Sequence, residues 1–208
     1  MKIRAVLFIT VISAIMLIQC TRQFTTPEPG YLRVWIEGEA TDRNVLGIQP
    51  GDCLNLKINN IRVFREDGYY KPIYWSTDVF HDTDRIVNIF AWDTTEDKFR
   101  TYFLGETDLP PQKFDTIKVT INLSPYVETT YVDTDTVINY RYNVFKLGGH
   151  LLSIDLEWGT SVAKANFDLQ VEEHKYYDLY LYFDIDSSLS RTAEGYEMAP
   201  VIKVKSLE

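Results

Sequence analysis

The residues of this chain best suited to chemistry are carboxylates set close together. Asp82/Asp84, Asp93/Glu96/Asp97, Asp133/Asp135 and Asp184/Asp186 each gather hard oxygen donors within a few positions, the ligand type that calcium requires. Asp184 and Asp186 are the leading metal candidates, because strand alternation sets both on one face just before a polar loop. A local role competes: Asp186 accepting hydrogen bonds from the backbone of Ser187-Ser188-Leu189 as a turn. In so acidic a chain, alternation also brings carboxylates together with no ion between them. Flat rings offer a second chemistry. Tyr69, Tyr70, Tyr74 and Trp75 crowd one segment, and Tyr176, Tyr177, Tyr180 and Tyr182 another. Such rows on a wet sheet face stack on sugar rings or dock a protein, and Trp75, Tyr180 and Tyr182 are the expected carbohydrate contacts. Rings that pair across strands also simply cover a sheet.

Other reactive patterns fail on spacing. Of His81, His150 and His174, none has a second His or Cys at metal-ligand distance, so zinc has no support. Ser161-Val162-Ala163-Lys164 matches a serine-x-x-lysine nucleophile motif, but that motif needs the start of a helix and its surroundings alternate like a strand. Neither a phosphate-cradling glycine loop nor a nucleophile elbow is present. No catalytic residue is named, and a non-catalytic role is expected. The formal charge of −9 over 208 residues leaves no basic excess to release counterions, which excludes nucleic acid as a default partner.

The elements that must position these side chains read as strands. Leu32, Val34 and Ile36 alternate with Arg33, Trp35 and Glu37, and Leu54, Leu56 and Ile58 with Asn55, Lys57 and Asn59. Ile61 and Val63 continue one residue out of step, which places a bulge at Asn59-Asn60. Asp67-Gly68 supplies the two positive-φ positions of a tight hairpin turn. Arg85–Trp92 and Lys98–Leu104 follow as strands, although Ile86, Ile89 and Phe90 also fit a helical face. Leu109-Pro110-Pro111-Gln112 breaks the ladder before Ile117, Val119, Ile121 and Leu123. Thr130–Tyr142 suits a pleated surface, and Gly148-Gly149 turns the chain. Ala163, Ala165, Phe167, Leu169 and Val171 alternate in a further strand, as do Leu179, Leu181, Phe183 and Ile185, and Ile202 and Val204 belong to the last. About ten strands at regular spacing predict one all-β domain over 31–208, a single antiparallel β-sandwich of Ig-like or transthyretin-like Greek-key type.

The first nineteen residues are an address. Lys2 and Arg4 precede the uncharged run Ala5–Ile18, which is short for a membrane span and suits a cleaved signal peptide. Leu17-Ile18-Gln19-Cys20 resembles the lipobox of bacterial lipoproteins, with Gln19 where that pattern has a small residue. The resemblance implies lipidation at Cys20, residues 20–30 as a tether, and attachment to a membrane through acyl chains. Losing Lys2 and Arg4 takes the charge from −9 to −11, so anionic headgroups repel the remainder. Thr21 lacks the aspartate of an inner-membrane retention signal, which favours the outer membrane or cell surface. Cys53 is then the one body cysteine; it has no internal disulfide partner and is expected to be a small buried hydrophobe at a strand start.

The order of the segments is itself suggestive. Gly30-Tyr31-Leu32-Arg33-Val34, Leu56–Val63 running into Asp67-Gly68, Leu109–Val119, Leu181–Leu189 and Tyr196–Val204 together resemble the bacterial and archaeal envelope family catalogued as domain of unknown function 4382. The resemblance spans most of 30–205 and implies a β-rich lipoprotein domain with no established activity. A glycan or an envelope protein is the expected partner, with structural calcium an open possibility.

Overall fold

A computed structural model describes residues 26–41, 47–49, 51–75, 85–122, 126–132, 135–142, 144–148, 150–152, 154–155, 160–193 and 196–208. The signal-peptide region and Cys20 lie outside these residues, as do the Asp82/Asp84 pair and Asp133. Strands β1 (Gly30–Glu39), β2 (Cys53–Phe64) and β3 (Tyr70–Trp75) precede three short ones, β4 (Ile86–Asn88), β5 (Trp92–Asp93) and β6 (Lys98–Phe99). Then come β7 (Tyr102–Leu109), β8 (Lys113–Asn122), β9 (Tyr126–Val132), β10 (Asp135–Tyr142), β11 (Val144–Leu147), β12 (His150–Leu152) and β13 (Ile154–Asp155). The order is completed by β14 (Thr160–Gln170), β15 (Tyr176–Asp184), a helical turn α1 (Ile185–Ser188), β16 (Leu189–Arg191), β17 (Tyr196–Met198) and β18 (Ile202–Leu207).

A four-stranded sheet runs β18-β15-β1-β7, and a seven-stranded one runs β12-β11-β2-β8-β14 with β3 and β4 also bonded to β2. Their inner faces share one core. Leu32, Val34, Ile36, Leu179, Leu181 and Phe183 from the smaller sheet cluster with Leu54, Leu56, Ile58, Ile61, Val63, Ile117, Val119 and Ile121 from the larger. The architecture is all-β and consistent with a β-sandwich.

Several expectations need correction. The sheets are not wholly antiparallel, since β1 lies parallel to β15 and β13 parallel to β17. Alternation fixes which face a residue takes, not the direction of its neighbour. The described strands also outnumber the expected ten. Arg85–Trp92 stops being a strand after Asn88, whose Oδ1 accepts from the Leu54 and Phe90 N–H groups at 3.0 and 3.1 Å. Thr130–Tyr142 lies across the β9–β10 hairpin. The Asp67-Gly68 turn is a longer loop between the Phe64–Tyr70 pair. Only Gly68 uses a positive φ there (85°), while Asp67 Oδ1 accepts from the Tyr69 N–H at 3.1 Å. Other readings hold. The register slips between Ile58 and Asn60, β14 covers the alternating run from Ala163, and Pro110-Pro111 separates β7 from β8. Cys53 opens β2 and is half-buried rather than buried. Among the described residues, no helix is long and apolar enough to cross a membrane.

Candidate functional site

The outer face of the four-stranded sheet gathers aromatic side chains that are far apart in sequence. Parallel register sets Tyr31 beside Tyr176, Arg33 beside Asp178, Trp35 beside Tyr180 and Glu37 beside Tyr182. On the other flank of β1, Phe103 of β7 lies opposite Trp35. Tyr31 and Tyr176 stack at 4.8 Å with planes 16° apart. Trp35 stacks on Tyr180 at 6.0 Å and 14°, and leans on Phe103 at 4.9 Å and 56°. Two ring clusters result, four strand residues or about 13 Å apart. Tyr176 and Phe103 are their most exposed members, at 59% and 44%.

Asp178 locks this face. Its Oδ1 accepts from Trp35 Nε1 at 2.7 Å and its Oδ2 pairs with Arg33, so the indole is held by a charge-assisted bond on one edge and by rings on both sides. Charges around the rings are largely taken up by one another. Glu37, 8% exposed, pairs with Lys205 and accepts from Thr101 Oγ1 at 2.8 Å. Asp108 pairs with Lys71, and Lys203 pairs with Asp184 while lying 5.9 Å from the Tyr182 ring centre. What faces solvent is therefore a ring-bearing strip whose charges are mostly paired, with the exposed carboxylate of Glu106 also on it, opposite Arg33.

Tyr180 and Tyr182, named from the sequence, belong to this strip. Trp75 does not: it ends β3 opposite Asn60 in the other sheet, and its side chain lies outside the described residues. Tyr177 has the wrong parity for the strip, and its hydroxyl accepts from the Glu172 N–H at 2.9 Å and donates to the Gln170 carbonyl. Trp35 and Phe103 were missed as contacts. Alternation had already turned Trp35 outward; the parallel neighbour that makes it useful had no sequence signal.

The Asp184/Asp186 pair is not brought together on one strand face. β15 ends at Asp184, which caps α1, while Asp186 lies within the helical turn. Asp184 accepts from the Ser187 N–H and hydroxyl at 2.9 and 2.8 Å and pairs with Lys203, so an ammonium already neutralises it. Burial pushes its carboxyl up, but the bonds from Lys203 and Ser187 outweigh that and hold it below the ordinary aspartate value. Asp186 turns elsewhere: its Oδ2 accepts from the Thr41 N–H at 2.6 Å. The turn foreseen at this point is thus made by Asp184. Among the described residues, no group of three His, Cys, Asp or Glu is placed to hold a metal.

Comparison with protein families, curated proteins and solved structures finds no match.

The second aromatic group differs in kind. Tyr69, Tyr70 and Tyr74 each lie under a guanidinium, from Arg65, Arg62 and Arg85 at 5.2, 5.0 and 4.6 Å. These rings each carry a cation on one face, with Tyr69 and Tyr70 still exposed, whereas the Trp35 cluster is built from rings against rings. An open groove of about 700 Å³ at the far end of β1, lined by Glu37, Gly38, Trp92, Lys98 and Phe99, holds a buried carboxylate that is already fully bonded. The serine-x-x-lysine stretch lies within β14, an extended strand that cannot bring the lysine beside the serine.

Proposed function

We propose that the protein is a non-catalytic, lipid-anchored β-sandwich of the cell envelope, held at the outer membrane or cell surface through Cys20, that binds an extended, uncharged carbohydrate. The observation that carries the binding role is the Trp35–Tyr180–Phe103 cluster, with Tyr31–Tyr176 about 13 Å along the same face. Rings on a rigid sheet lose little entropy on stacking with sugar, and the internal pairing of nearby charges suits a neutral chain. The anchor rests on the Lys2/Arg4 n-region, the apolar run and Leu17–Cys20.

A glycan array followed by calorimetry on the best hit tests the binding role. Trp35→Ala or Tyr180→Ala is expected to cost about 1–2 kcal/mol, a five- to thirtyfold loss. Absence of any signal across neutral glycans, or affinity untouched by both variants, overturns it. Mass spectrometry of the mature N-terminus tests the anchor: a diacylglyceryl Cys20 supports it, and an unmodified terminus beyond Cys20 removes it.

A further inference from the structure

The outer face of the seven-stranded sheet carries a line of cations that folding alone does not call for. Register sets Lys164 of β14 opposite Lys118 of β8, and Lys118 opposite Arg62 of β2. Three positive side chains therefore stand abreast at about 4.8 Å strand spacing, in a chain whose formal charge is −9. Like charges directly opposite one another destabilise a sheet. Arg62 lies over the Tyr70 ring and Lys118 over Phe64, at 5.0 and 4.4 Å. Among the described residues, neither Lys118 nor Lys164 meets a carboxylate, and Lys164 is exposed.

The flanking rows continue the pattern. One holds Val162, Thr120 and Asn60, and the other Asn166, Thr116, Phe64 and Tyr70. Thr120 Oγ1 donates to Asn60 Oδ1 at 3.3 Å, and Thr116 Oγ1 to Asn166 Oδ1 at 3.4 Å. No position in these three rows is acidic. Cations in line, hydroxyls and amides on either side, and the exposed Tyr70 beside the half-buried Phe64 at one end form a surface complementary to carboxylates strung along a sugar chain.

We infer that this face binds an acidic polysaccharide, a polymer of uronic-acid type, independently of the neutral-glycan strip on the opposite sheet. An anionic bilayer suits it less. A bilayer meets the whole acidic surface and is repelled, whereas a single strand lies along the cationic line and avoids the rest. Guanidinium and ammonium groups give charge-assisted bonds to carboxylates, and Phe64 and Tyr70 supply flat apolar contact.

The test is titration of the purified full chain with polygalacturonate, at low and at physiological ionic strength. The parent is expected to bind, more weakly as salt rises. Lys164→Glu places an anion beside Lys118. It is expected to weaken polygalacturonate binding about tenfold or more, through loss of one charge-assisted contact, while leaving the thermal unfolding midpoint unchanged or higher because the like-charge pair is gone. A merely structural lysine would lower the midpoint and leave binding alone. Lys118→Gln with Lys164→Gln gives the same direction of change without adding a new charge, and Lys175→Glu, matched in net charge but remote from the row, leaves affinity unchanged. The inference is overturned if the parent fails to bind polygalacturonate, if it binds phosphatidylglycerol vesicles in preference, or if Lys175→Glu weakens binding as much as Lys164→Glu.

Discussion

Gly38→Ala isolates how tightly the end of β1 is packed. Gly38 has no left-handed φ to defend; what it lacks is room. A β-carbon there would fall 2.2 Å from the Ile89 carbonyl oxygen and 3.1 Å from Ile89 Cγ2. Reaching even a 3.0 Å contact requires a separation of about 0.8 Å in a close-packed interior. Neither side yields easily. Gly38 is paired to Phe183 in the β1–β15 ladder, and Ile89, fully buried, donates its N–H to the Leu54 carbonyl at 2.9 Å. The obstructing atom is backbone, so no rotamer change relieves it. Overpacking of this kind costs about 2–3 kcal/mol, offset by about 0.4–1 kcal/mol from the stiffer unfolded chain. The net loss corresponds to a fall in midpoint of about 2–10 °C for a chain of this size. Urea unfolding followed by circular dichroism, and thermal scans of the same samples, measure it. Gly68→Asn is the companion variant: Gly68 has φ 85° and open space around it, so a residue tolerant of that conformation changes stability little. A Gly38→Ala midpoint equal to or above the parent's refutes the claim that β1 and the Ile89 loop are in forced contact.

Two further outcomes follow from named contacts. Asp184 titrates below its ordinary value when folded, so its contribution is complete above about pH 4 and fades as pH falls through the lower folded value. Asp184→Asn, which keeps a capping oxygen, should therefore lower stability at neutral pH and flatten the acid limb of urea midpoints measured down to about pH 3, whereas Asp184→Ala should lose about 1 kcal/mol more through the cap. Asp178→Ala removes the acceptor of Trp35 Nε1 and the partner of Arg33. It should cost about 1–2 kcal/mol, given partial exposure of the pair, and weaken the near-ultraviolet dichroism of the indole.

Side-chain alternation made much of this architecture legible. The phase slip between Ile58 and Ile61 located a real break in register, and the Ala163–Val171 alternation identified a strand in a stretch with helix-friendly residues. Three things were not written in that pattern. Strand partners were hidden, since β1 and β15 are joined by register across more than half the chain; Trp35, Phe103 and Tyr180 therefore could not be recognised as one cluster. The end of β15 was hidden too. Ile185 keeps the buried phase of the strand, so the run looks continuous, and only Asp184 standing three residues before Ser187 signals a helix cap. The cationic line was invisible for the first reason: Arg62, Lys118 and Lys164 are unremarkable singly and acquire meaning only side by side.

The placement of β1 has a mechanical consequence. The strand that follows Pro29 lies inside its sheet, not at the rim, flanked by β15 through nine register pairs and by β7 on the other side. A pull applied to the segment before Gly30 acts on β1 along its own axis. Bonds transverse to that axis share the load and must fail together, where an edge strand would peel away one bond at a time.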